Sequence, residues 1–215
     1  MQTREGVTST SELERLVAAL ADNKYFLGRR YAEWCTAAPT LESAVAAAAM
    51  AQDEIGHARS LYPVLRDLSG ASVDVEPTTR AQFANARFLD ETFNGWTDFV
   101  AANFLFDTAM TVLLRAANGT FGPLAQRARR MVEEEQLHWL HAEGWTRRLP
   151  PKGPAVGDAL AGSLLRVAPD ALAWFETTHP ALVDEGILLE RASSLRERFR
   201  VQVNRVLTSV ELPTV

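Results

Sequence analysis

Four stretches of this chain carry an apolar stripe at three- and four-residue steps, and each stripe is broken near its middle by a group that does not belong in a core. Leu13, Leu16, Leu20, Lys24, Leu27, Tyr31 and Trp34 form the first; Ala47, Met50, Glu54, His57, Leu61, Val64 and Leu68 form the second. The third runs Val100, Phe104, Asp107, Thr111, Leu114, and the fourth Ala128, Met131, Glu135, His138, Ala142, Trp145. This period predicts four long helices packed by their apolar faces. A desolvated charge without a partner would cost much of a domain's net stability, so the interrupting groups have to meet one another or an ion.

Their spacing suggests what they do on meeting. Glu54-x-x-His57 and Glu135-x-x-His138 each set a carboxylate and an imidazole one turn apart on one helix face, the pattern with which helical bundles build carboxylate-bridged di-metal sites. With 17 glutamates and four histidines in 215 residues, chance gives roughly 0.3 such pairs, and three occur. The third, Glu176-x-x-His179, runs directly into Pro180 and reads as a helix end rather than a ligand pair.

Depth gives an independent test. In an antiparallel hairpin, residues equally far from the turn face one another, and about Pro39 the position level with Glu54 is Lys24 rather than Glu33. About Thr120, Asp107 and Glu135 fall at one level. The expected metal-ligand set is therefore Glu54, His57, Asp107, Glu135 and His138, with Lys24 lining the site where a first-helix ligand would stand.

The boundaries follow from caps and breakers. Ser11 and Glu14 form a capping box for a helix running towards Ala37; Thr40, with Glu42 behind it, opens the next, to about Leu68. A polar loop follows over Ser69 to Thr78, then a short helix over Thr79 to Phe93, and a long one from Trp96 to Ala117. Pro123 opens a helix that ends at Pro150-Pro151, a hinge-like segment reaches Pro154, and two helices complete the chain at Val156 to Thr177 and Ser194 to Val210, the latter begun by Ser194 and Glu197. The reading is all-α and a single domain, with a core bundle over about 11–149 and C-terminal helices over about 155–211.

Composition narrows the partners. A formal net charge of −5 with no concentrated basic stripe argues against nucleic acid. Cys35 has no second cysteine to pair with, and the first residues lack a signal peptide's apolar core, so a cytoplasmic location is expected. The run from Phe99 to Leu114 contains Asp107 and falls short of a bilayer span, so no membrane is expected.

Some stretches also resemble a known family. Gln52-Asp53-Glu54-Ile55-Gly56-His57, with Leu61-Tyr62, is similar to a segment of the catalytic subunit of bacterial phenylacetyl-CoA epoxidase. Leu20-Ala21-Asp22-Asn23, Tyr31-Ala32-Glu33-Trp34-Cys35, Ala38-Pro39 and Asp184-Glu185-Gly186-Ile187 resemble its structural partner subunit. The resemblance implies a ferritin-like four-helix bundle with additional C-terminal helices, in a multicomponent di-iron oxygenase that epoxidises phenylacetyl-CoA during phenylacetate breakdown. It further implies iron as cofactor, one or two ions, and a homologous oxygenase subunit as partner; a separate reductase is expected because no flavin or nicotinamide fingerprint occurs here. In the catalytic subunit a glutamate holds the place of Lys24.

Charge counting sets the terms for that substitution. Two ferrous ions and a protonated Lys24 would overcompensate the three carboxylates, whereas one divalent ion with Lys24, or Lys24 in a metal-free network, suits a buried setting better. Three functions follow: an oxygenase component, a non-catalytic scaffold subunit with a degenerate site, or a metal-dependent oxidase acting on another substrate. The tryptophans read as packing, His141 as a neighbour of the site or an exposed residue, and Arg127, Arg129, Arg130, Arg147 and Arg148 as a solvated face that could also meet a CoA phosphate or a partner subunit.

Overall fold

The computed structural model describes residues 5–70 and 77–215, with side chains from residue 12 onward. Among the described residues, seven helices follow in order: α1 (Glu5–Ala32), α2 (Leu41–Ser69), α3 (Trp96–Ala116), α4 (Gly122–Arg148), α5 (Pro154–Ala173), α6 (Pro180–Asp184) and α7 (Ala192–Ser209). No strand occurs among them. Helices α1 to α4 form an antiparallel bundle in which α1 lies along α2, α2 faces α4 and α3 faces α4; α5 crosses α3, and α7 closes over α3 and α4.

Local chemistry accounts for most of the ends. Thr40 is extended at φ −141°, and its hydroxyl accepts the Ser43 amide at 3.2 Å, capping α2. Gly70, at φ +85°, ends it. Pro123 lies in the first turn of α4, where its missing N–H is harmless. Helix α1 already runs from Glu5, so Ser11 is not its start; the Ser11 side chain lies outside the described residues. Most of the expected loop over Ser69 to Thr78 lies outside them too. Ser194 is likewise inside α7, donating to Glu190 at 2.9 Å, and α7 begins after Arg191. Helix α5 stops at Ala173 and gives way to a 3₁₀ turn, Trp174–Thr177.

The helix expected over Thr79 to Phe93 does not form. Only a 3₁₀ turn, Arg87–Leu89, interrupts an irregular strap there, because α1 takes up the strap's backbone groups. Asp22 accepts the Ala84 amide at 2.8 Å, Asn23 accepts the Ala86 amide at 2.7 Å, and Arg30 donates to the Leu89 carbonyl at 3.0 Å. An amide bonded to a side chain on another helix is not available to a helix of its own.

Two close approaches fix the framework. A Cβ on Gly28 would lie 2.8 Å from Ile55 Cγ1 and 3.0 Å from Glu54 Cβ, so α1 and α2 pack tightly beside the polar cluster only because residue 28 is glycine. At the far end, Gly119 brings the α3–α4 turn against the segment after α6, where Thr120 donates to the Gly186 carbonyl at 2.9 Å.

Helix α3 corrects one argument from length. Its 21 residues are long and apolar enough to cross a bilayer, but 94% of its most apolar stretch is buried inside the bundle. A buried core helix has the same composition as a spanning one. The middle of α3, Ala102–Asp107, is a π-helical turn at the depth of the polar cluster.

Candidate metal centre

All four bundle helices send an ionisable side chain to one depth. Lys24 of α1, Glu54 of α2, Asp107 of α3, and Glu135 and His138 of α4 are each at most 2% exposed. Lys24 Nζ donates to Glu54 Oε1 at 2.9 Å, to Asp107 Oδ1 at 3.0 Å, and to Glu135 Oε1. Donor atoms of Glu54, Asp107, Glu135 and His138 all lie within 4.8 Å of one another. Four of the five expected ligands thus come together, and Lys24 stands among them.

His57 lies at the margin. Its Nδ1 is 3.5 Å from Glu135 Oε1, while its Nε2 pairs with Glu134 Oε2 at 2.7 Å. His138 mirrors it from the other helix: Nδ1 faces Asp107 Oδ2 at 3.0 Å and Glu135 Oε2 at 3.1 Å, and Nε2 approaches Asp53 Oδ2 at 3.4 Å. Each histidine therefore reaches the acid that precedes the other motif's core glutamate. Asp53 and Glu134 escape a reading confined to the stripes; the signal is an acid immediately before Glu in both motifs, Asp53-Glu54 and Glu134-Glu135.

Asp107 is held from three further sides. The Tyr31 hydroxyl and Asn103 Nδ2 each donate to its Oδ2 at 3.3 Å, and its carbonyl accepts the Thr111 hydroxyl at 2.9 Å. His141 Nδ1 contacts Asn103 Oδ1 at 3.2 Å, making it a neighbour of the cluster at one remove. Glu33 instead pairs with Arg30 away from the cluster. Glu176 pairs with Arg196, and His179 accepts the Ala181 amide at the start of α6, so the third E-x-x-H is no ligand pair.

Proton affinities follow from this crowding. Burial alone would push Lys24 down, but Asp107, Glu135 and Glu54 together hold it well above its ordinary value. Burial also opposes the charge on Glu135, yet Lys24 and His138 keep it well below the carboxylate range. Glu54 goes the other way: burial and the Asp107 charge outweigh Lys24 and raise it to about 7. Burial would lower His138, but Glu135 and its bonds to Asp107 and Asp53 hold it well above the usual imidazole value. Lys24 and His138 are thus held towards their cationic forms and Glu135 towards its anionic form, while Glu54 is drawn towards the protonated acid.

Carboxylate and imidazole donors suit a hard divalent ion, so the cluster is of a kind that can hold one. In the arrangement present, one oxygen of each of the three carboxylates is bonded to the Lys24 ammonium, while Glu54 Oε2 and His57 Nδ1 are buried without a hydrogen-bond partner. His138 Nδ1, facing two carboxylate oxygens, acts as a proton donor rather than a lone-pair ligand. These residues as they stand gather around an ammonium, and Glu54, Asp107, Glu135 and His138 among them form a set that could also hold a metal ion.

An all-α bundle with E-x-x-H motifs on facing helices around a buried acid belongs to the ferritin-like class. Within it, the chain is a member of the phenylacetic acid catabolic protein family, whose profile matches residues 1–214. A curated relative is a component of the 1,2-phenylacetyl-CoA epoxidase of Escherichia coli (strain K12), 28% identical over 143 residues. The match covers 65% of this chain and spans 58% of the relative's length.

Proposed function

We propose that this chain is a subunit of a multicomponent oxygenase of the phenylacetyl-CoA epoxidase type, acting in aerobic phenylacetate breakdown in the cytoplasm, with Lys24 standing where such oxygenases hold an ion. Family membership supports the first part. The observation that carries the second is the contact of one buried ammonium with all three core carboxylates. An oxidase acting alone on another substrate draws no support from the site.

In this reading the cluster keeps the bundle's shape without metal, and dioxygen chemistry belongs to a homologous partner subunit supplied with electrons by a reductase. The chain's own contribution is a rigid helical surface for that partner. Should Lys24 be removed, Glu54, Asp107, Glu135 and His138 are the residues that would take an ion, with His57 completing the set by turning from Glu134.

Metal analysis of protein purified from iron-replete, reducing medium tests the site. The wild-type chain is expected to hold less than about 0.1 ion, and Lys24→Glu to approach one or more. A stoichiometric ion in the wild-type chain would overturn the reading of Lys24. Co-purification with a larger homologous subunit, and turnover of phenylacetyl-CoA only by the assembled complex, tests the assignment to an oxygenase; a chain that never pairs would sink it.

A further inference from the structure

On α1, residues that hold the strap sit next to residues that reach the cluster. Asn23 accepts the Ala86 amide at 2.7 Å and donates to the Ala84 carbonyl at 3.3 Å, and the next residue is Lys24. Two turns on, Arg30 donates to the Leu89 carbonyl at 3.0 Å, and the next residue, Tyr31, donates to Asp107. Asp22, fully buried, holds the Ala84 amide at 2.8 Å, Arg80 of the strap, and the Tyr62 hydroxyl of α2 at 3.0 Å. Successive helix positions lie about 100° apart, so one face of α1 meets the strap while the adjoining face meets the cluster.

The strap reaches α3 at the same depth. The ring of Phe88 meets Phe106 edge-on with centroids 5.0 Å apart, and Phe106 immediately precedes Asp107 at the end of the π-helical turn. Leu89, beside Phe88, is fully buried. The strap therefore ties α1 to α3 through the chain neighbours of Lys24, Tyr31 and Asp107. Its anchors Asp22, Asn23 and Arg30 are buried polar groups, and lifting the strap would leave each of them short of partners. The separation it sets matters for Lys24, whose Nζ contacts Glu54 at 2.9 Å and Asp107 at 3.0 Å. An outward shift of α1 by about 1 Å would break both bonds.

We propose that the strap is a brace that seats the Lys24 ammonium. By clamping α1 against α3 it keeps Nζ among the three carboxylates; when it loosens, α1 shifts outward, Lys24 withdraws, and Glu54, Asp107, Glu135 and His138 open to a divalent cation. Asn23, Arg30 and Phe88 are thus positioning residues for the cluster, though none of them belongs to it. The brace rests on Lys24 being the cluster's occupant, as proposed above.

Equilibrium dialysis of the full chain against manganese(II), followed by metal analysis, tests it on Asn23→Ala, Arg30→Ala and Phe88→Ala. Each should bind manganese at least about fivefold more tightly than wild type, because loosening the brace enlarges the fraction of chains whose cluster is open. Arg30→Lys, which can still donate to the Leu89 carbonyl, should stay close to wild type. Leu195→Ala, on the buried face of α7, lowers stability away from the strap and should leave manganese affinity unchanged. Tighter binding in that variant too would show that any loss of stability opens the cluster, and would overturn the brace. Amide hydrogen exchange gives a second readout: in Asn23→Ala, exchange should quicken over 22–31 and 102–107 as well as in the strap, but not in α7. Quickening confined to the strap, or wild-type manganese affinity in folded Asn23→Ala and Arg30→Ala, overturns the brace. Lys24→Glu separates the two failures. Uptake by Lys24→Glu but by no strap variant removes only the brace, whereas a stoichiometric ion in the wild-type chain removes Lys24 as occupant and the brace with it.

Discussion

Helices α2 and α4 carry the same motif, an acid followed by Glu-x-x-His, yet the two halves of the cluster behave differently. Glu135 has Lys24 on one oxygen and His138 on the other, and stays ionised. Glu54 has Lys24 on Oε1 but no partner on Oε2, and is raised to about 7. His138 turns into the cluster towards Asp107, whereas His57 is bonded outward to Glu134. The motif fixes where the groups lie; α1 and α3, through Lys24 and Asp107, break the symmetry and decide which group holds a proton.

The sharpest way to break this comparison is to remove its cause. Lys24→Ala leaves three buried acids with too little positive charge and should cost about 3–5 kcal/mol in metal-free buffer by chemical denaturation. A divalent ion should restore much of that loss, since it can take the place of the ammonium. An unchanged midpoint would mean that the ammonium does not hold the halves apart.

Altering each half in turn comes next. Glu135→Gln removes an ionised acceptor from Lys24 and His138 and should cost about 1.5–3 kcal/mol. Gly28→Ala strikes only the α2 half, where the added methyl meets Ile55 and Glu54, and overpacking there should cost about 1–3 kcal/mol. If Gly28→Ala is neutral, α1 can move away from α2 without cost.

Glu54→Gln should be milder, because the amide mimics the protonated acid. A carboxyl raised in the folded state stabilises that state most at low pH. This contribution is lost as pH climbs from the ordinary carboxyl value of 4.5 to about 7. The variant lacks that loss, so its melting temperature relative to wild type should rise with pH across this window and level off above it. A flat difference would show that Glu54 is already ionised. The smallest effect belongs to Glu134→Gln, whose partly exposed pairs with His57 and Arg130 should be worth about 0.5 kcal/mol or less.

Much of this is legible in the sequence because helical periodicity is a local signal. Glu54, Asp107, Glu135 and His138 follow from stripes and depth, and Lys24 from its distance to a turn. The strap after α2 does not, because its conformation depends on Asp22, Asn23 and Arg30 some 60 residues earlier in the chain. Asp53 and Glu134 lie beside the stripes rather than on them, and only the crossing of α2 and α4 shows that each serves the other's histidine.

The sequence by itself therefore determined an all-α bundle, the depth at which its charges gather, and which residue types gather there, since the order of apolar and polar residues dictates the buried face of each helix. Tertiary structure decided what those charges do. Proton sharing falls off steeply over a few ångströms, and whether Nζ of Lys24 reaches three carboxylates or leaves room for an ion depends on helix separation, which no local pattern encodes.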